Sequence, residues 1–317
     1  MLTYTLNEED VGEVRFGISP LCEMGLSLRA LKDPARFPLQ LPWLRRTEKA
    51  RSRLDTELLL ALIDTRLSTP DLLNPRPGSP LTRIVDELDR FRSTDPSLFT
   101  RQIEAIHGEI PAALRGDPRA ALDRTANILE RYWESCFQPH WLRMRTLLEA
   151  DIAYRGRQIA QVGLSAMINT IDTRVSIADA VLSVQVECKL TTSKAVAGRG
   201  MTFVPTIFTS GASAPSDPSG PPMILYAARG QGAMWETSTS ATDAGAIQLL
   251  GRTRAALLAV LSEPTSSTDL GLRMGVTTSA VNQHLRALHA GRLVTSTRHG
   301  RVVLYFRSEL GTALLGG

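Results

Sequence analysis

The chain reads as a mainly helical α+β protein. An N-terminal helical body carries a small antiparallel sheet, and a C-terminal head runs helix, glycine turn, helix and hairpin. Three observations predict this. Apolar residues recur at helical spacing through most of the chain up to Ile171. Short β-branched or alternating runs separated by Gly, Ser and Pro follow between Arg174 and Ala227. Beyond Ala246 the charge balance changes, with eight arginines against three acids, while the remainder holds 28 basic and 29 acidic residues.

Length and composition bound the reading. At 317 residues the chain is long for one ordinary core, so two domains are expected: 1–236, a linker at 237–246, and 247–317. With 43% hydrophobic and 21% charged residues it is globular rather than disordered. No apolar run reaches the ~18 residues of a membrane span. The acidic start, Met1 to Asp10, lacks the layout of a signal peptide, so a cytoplasmic protein without membrane partners is expected. Cys22, Cys136 and Cys188 are odd in number and far apart, which suits reduced, mostly buried thiols.

The elements follow in order. Leu2, Tyr4 and Leu6 alternate with threonines as a short strand. Asn7 caps a helix running to Arg15. Pro20 opens another to Leu31, with Leu21, Met24, Leu28 and Leu31 on one stripe. Prolines 34, 38 and 42 then break the pattern, and Trp43 is expected to anchor the resulting loop. Leu54, Leu58, Ala61 and Leu62 mark a helix before the turn-rich segment Pro70–Pro80. Helices are predicted at 81–92, 97–108, 118–136 and 139–170, the last with Pro139 in its first turn. Strands are predicted at Arg174–Ala178, Leu182–Glu187, Met201–Phe208 and Met223–Ala227, with Ser210–Pro222 a loop.

In the head, Ile247, Leu249, Leu250, Leu257, Leu258 and Leu261 build supporting helices that end at Pro264. Ser266 or Ser267 caps the next helix, Gly275 makes the turn, and Thr277 caps a second helix that buries Val281, Leu285 and Leu288 at i, i+4 and i+7. Gly291 closes it. Two strands, Leu293–Arg298 and Val302–Arg307, pair around a His299–Gly300 turn, completing a winged helix-turn-helix. Thr278, Ser279, Asn282, Gln283 and Arg286 fall on the second helix's open side, and each can meet a base edge or a phosphate. Arg298, His299 and Arg301 surround the hairpin tip, where a wing meets the DNA backbone or minor groove. From Thr277 to Arg307 there are five arginines and no acid. This pattern predicts a double-stranded DNA partner.

These residues resemble the ArsR-type winged-helix repressors. The likeness is carried by Gly251-Arg252-Thr253-Arg254, Thr268-Asp269-Leu270, Val281-Asn282-Gln283-His284-Leu285 and Gly300-Arg301-Val302-Val303-Leu304-Tyr305. Asn282 stands where that family usually has Ser, and Arg292 where it prefers Leu. The body resembles an actinobacterial subgroup with a large N-terminal domain of unassigned function. The matching segments are 14–21, Ser27-Leu28-Arg29-Ala30-Leu31, Pro42-Trp43-Leu44, Phe203-Val204-Pro205 and 225–230. The resemblance implies a homodimeric repressor of an operator. The first helix of the head and the segment 308–315 are its dimer candidates.

That family's metal sensors use paired thiols or His/Asp clusters. This head has no cysteine, and His284, His289 and His299 lack the i, i+3 or i+4 spacing of a ligand pair, so no metal and no cofactor are expected. Gly198-Arg199-Gly200 and Arg229-Gly230-Gln231-Gly232 read as turns rather than phosphate loops, and His107 and His140 as isolated histidines. No catalytic motif appears, so an enzyme is not expected. Tyr132, Trp133, Phe137 and Trp141 read first as core, while an apolar effector pocket somewhere in the body is the sharper alternative. Two competing readings remain: a head that docks on protein, and an enzymatic body with a regulatory head.

Overall fold

Two compact units, Met1–Trp235 and Glu236–Gly317, divide the chain in the computed structural model, which describes residues 2–178, 181–184, 192–215, 220, 222–232, 234, 241–262, 264–299 and 302–315. The protein is mainly helical with small sheets. Among the described residues no helix is long and apolar enough to cross a membrane.

The body begins with β1 (Leu2–Thr5), α1 (Glu8–Gly12), β2 (Arg15–Phe16), α2 (Pro20–Lys32), α3 (Leu41–Arg51), α4 (Thr56–Leu60), α5 (Ile84–Arg92), α6 (Pro96–His107) and α7 (Pro118–Tyr132). It continues with α8 (Gln138–Val162), α9 (Leu164–Ile168), β3 (Val175–Ala178), β4 (Val181–Val184), β5 (Thr192–Ala195), β6 (Thr202–Thr206) and β7 (Met223–Ala227). Side-chain caps start most of the helices. Asn7 and Asp10 form a reciprocal capping box on α1, and Ser19, Asp55, Asp95 and Asp117 cap α2, α4, α6 and α7.

Several expectations are corrected here. Trp43 lies not in a loop but inside α3, because Pro42 sits in that helix's first turn, where its missing N–H costs nothing. The helix expected at 118–136 ends at Tyr132, and a π-helical turn, Trp133–Phe137, joins it to α8. The helix expected to reach 170 breaks at Gly163. The single antiparallel sheet is in fact two sheets. One runs β3-β4-β1-β5, with β1 antiparallel to β4 and parallel to β5; the other, β2-β6-β7, is wholly parallel. Continuous burial of Thr202–Thr206 and Met223–Tyr226 explains the parallel sheet, since strands covered on both faces do not alternate.

Trp43 sits at the centre of the helical core. Its Nε1 donates to the Cys136 carbonyl at 3.1 Å, and its ring lies 5.2 Å from Phe137 and 4.8 Å from Phe208. Tyr132, Trp133, Phe137 and Trp141 are all buried in the same core, so the bland reading of that cluster holds. Cys22 and Cys136 are buried free thiols; Cys188 lies outside the described residues.

The head comprises α10 (Ala241–Leu250), α11 (Arg252–Val260), β8 (Thr265–Ser266), α12 (Ser267–Met274), α13 (Thr278–Ala290), β9 (Val294–His299), β10 (Val302–Arg307) and α14 (Glu309–Leu314). The expected linker 237–246 is therefore helical from Ala241; the stretch from 235 to 240 lies outside the described residues. Its sheet runs β8-β10-β9, antiparallel throughout. The head core is small and aliphatic: Leu257, Leu258, Leu261, Leu270, Val281, Leu285, Leu288 and Val294. Ile247 and Leu249, expected in the supporting helices, lie on α10 and are 42% and 74% exposed.

Candidate nucleic-acid interface

The α12–α13 corner is built by backbone geometry. Ser266 caps α12, accepting from the Asp269 amide at 3.1 Å. Gly275 ends it at φ +67°, a left-handed conformation that a side chain would strain. The chain then folds back so closely that a Cβ on Gly271 would lie 3.0 Å from the Val276 carbonyl oxygen, and the Val276 amide donates to the Gly271 carbonyl at 3.0 Å. Gly271 thus sets how near the turn comes to α12. Sequence reasoning passed over it, because a glycine inside a helical pattern gives no sign of what it faces.

Thr277 starts α13 as expected, its hydroxyl accepting from the Ala280 amide at 3.2 Å. Such a cap contributes about 1 kcal/mol. Val281, Leu285 and Leu288 are buried, each worth ~1.5–3 kcal/mol relative to exposure. That anchoring turns the opposite stripe outward. Ser279, Gln283 and Arg286, at i, i+4 and i+7, are exposed, with Thr277 beside them. Thr278 and Asn282 lie on the flank, half-buried. The Arg286 Nε donates to the Asn282 carbonyl at 3.3 Å, which lays the guanidinium along the helix surface.

The hairpin pairs His299 with Val302, so His299 is a strand residue and not part of the turn. Arg298 is exposed on β9. The His299 side chain, Gly300 and Arg301 lie outside the described residues. Tyr305 packs against the head core. Gly291 closes α13 as its C-cap at φ −78°, and the left-handed conformation falls on the next residue, Arg292, at φ +56°. The Leu293 amide donates to the Leu288 carbonyl across that reversal at 2.9 Å.

The face joins an exposed polar stripe to arginines, with no carboxylate between Thr277 and Arg307. Chemically it can donate to and accept from an edge of alternating donors and acceptors, and it can neutralise phosphates. His284 is half-buried, its Nδ1 enclosed without a hydrogen-bond partner among the described residues, and His289 is exposed. Among the described residues no group of three His, Cys, Asp or Glu side chains is placed to hold a metal ion. Arg252 and Arg254, at the start of α11, are also exposed.

Residues 108–229 match a family model described as "Family of unknown function (DUF5937)". The match lies wholly within the body. No curated protein and no solved structure matches the chain.

Proposed function

We propose that the chain is a DNA-binding transcription regulator whose head is a winged helix-turn-helix of the ArsR-like kind. The observation that carries this reading is the outward stripe Ser279, Gln283 and Arg286, backed by buried Val281, Leu285 and Leu288 on an acid-free segment. In this reading α13 enters the major groove. Arg286 pairs with a guanine edge, Gln283 and Asn282 with adenine, and Thr277, Thr278 and Ser279 with bases or phosphates near the helix start. Arg298, with His299 and Arg301 at the wing tip, tracks the backbone or minor groove.

The regulator acts as a homodimer in the cytoplasm, and represses until a small molecule binds its body. Exposed Ile247 and Leu249 on α10 and Leu310 on α14 supply apolar surface for a second copy. Two heads would then address half-sites ~34 Å apart. A ligand that prefers one head geometry ~100-fold shifts the balance by ~2.7 kcal/mol. The test is fluorescence anisotropy of the full chain with duplex from upstream of its own coding region, against a scrambled duplex. Preferential binding that saturates at two chains per site is expected. Equal affinity for both duplexes, or capture of protein by the head without competition from DNA, would contradict the reading.

A further inference from the structure

The body contains a cleft of about 960 Å³, a size suited to a small molecule. It is not the aromatic cluster, which is solid core. Its walls carry five cations, Arg29, Arg36, Arg66, Arg174 and Lys194, and one acid, Asp71. Three of the cations are answered locally: the Arg66 Nε lies 3.1 Å from the Asp64 carboxylate, the Arg174 Nε lies 3.1 Å from that of Asp172, and the Lys194 Nζ lies 5.8 Å from the Tyr4 ring centroid. Arg29 feels Asp64 only at a distance. Its Nε is enclosed and has no hydrogen-bond partner among the described residues. Loss of water, with repulsion from Arg36 added, brings its guanidinium down to about 10, against the pull of Asp64.

Three further enclosed polar atoms on the same walls also lack partners: Thr69 Oγ1, Asn74 Oδ1 and Ser213 Oγ. Leaving such an atom unsatisfied costs about 1–3 kcal/mol. Four orphans and an excess of positive charge around one hollow describe a guest that is anionic and rich in hydroxyls. An apolar guest would bury Arg29 further while adding no counter-charge and no partner for its Nε.

We propose that this cleft is the body's ligand site and takes a small organic anion, a carboxylate or phosphate on a hydroxyl-bearing frame. Arg29 and Arg36 face the charge, while Thr69, Asn74 and Ser213 meet the hydroxyls. The regulatory meaning of this site rests on the transcription-regulator reading; the binding itself does not. The experiment is isothermal titration of the full chain, without DNA, using citrate, ribose 5-phosphate and inorganic phosphate, with ribose and indole as neutral controls. At least one anion binds and neither control does. Citrate alone would assign a carboxylate, and either phosphate a phosphoryl group. Arg29→Met weakens the bound anion about tenfold, and Arg36→Met, on an exposed residue that the fold does not need, weakens it about threefold. Heat from indole that survives Arg29→Met, silence from every anion, or anion binding untouched by both substitutions overturns the proposal. None of those results depends on whether the head binds DNA.

Discussion

In the body, charged side chains are enclosed by the fold: Asp10, Glu23, Glu87, Arg145, Asp151 and Arg155 are each at most 4% exposed. In the head, no charged side chain among the described residues is buried, and the core is aliphatic throughout. Body carboxylates have architectural work. Glu87 accepts from the Leu21 amide at 2.8 Å at the start of α2, and Glu23 accepts from the Ile207 amide at 3.0 Å, tying α2 to the chain just beyond β6. Asp151 accepts from the Tyr226 hydroxyl at 2.7 Å and the Arg229 amide at 3.2 Å. The head core is aliphatic, and Arg252, Arg254, Arg286 and Arg298 are exposed on its surface. A polar residue in the body is therefore read first as structure, and one in the head first as interface.

Substitutions in each unit can break or sharpen this contrast. The largest expected effect is Asp151→Ala. It leaves Arg155 buried beside Tyr226 with its carboxylate gone, so unfolding in denaturant should show a loss of about 3–5 kcal/mol. Wild-type stability near that of the variant would mean that the buried pair is not structural.

Next is pH. Burial raises the Glu23 carboxyl from 4.5 to about 8, and Glu87 to about 7, despite backbone N–H donors that favour the charged forms. Both folded values lie above the unfolded ones. Their contribution is thus fully present below the unfolded value and is lost as pH rises through the folded one. Between about pH 5 and pH 8 the body should lose about 2–4 kcal/mol through Glu23, and Glu23→Gln should flatten that slope. A melting temperature that rises over this range in wild type would contradict the assignment.

Arg286→Ala tests the other unit. It should cost ~1–3 kcal/mol on the preferred duplex, relax base preference, and leave the unfolding midpoint nearly unchanged. Loss of stability without loss of preference would make Arg286 structural. The smallest effect is Arg292→Gly, which removes left-handed strain and should stabilise the head by about 1 kcal/mol in a thermal melt. A destabilised variant would show that the Arg292 side chain holds the end of α13.

The head was largely legible because its signals are local. Gly275, Thr277 and the Val281–Leu285–Leu288 stripe occupy the places that turn, cap and helical period assign them. Arg292 escaped notice, since either of two adjacent residues can take the reversal and glycine is the obvious choice. The body was less legible. α3 hides behind prolines, one of which starts it. β2 is two residues long, and β5, Thr-Ser-Lys-Ala, shows no apolar alternation. The cationic cleft had no sequence signature at all: Arg29, Asn74, Lys194 and Ser213 come from segments far apart in the chain and meet only once folded.

The central claim is that the exposed stripe of α13, with its acid-free surroundings, grips a duplex. It is tested most directly by titrating salt against the wild-type chain bound to its preferred duplex. Phosphate-led binding predicts a linear fall of log affinity with log salt, with a slope of roughly −0.9 per phosphate neutralised, made shallower by about one such step in Arg298→Ala. Affinity that does not change with salt, or a slope that Arg298→Ala leaves untouched while binding persists, would contradict it.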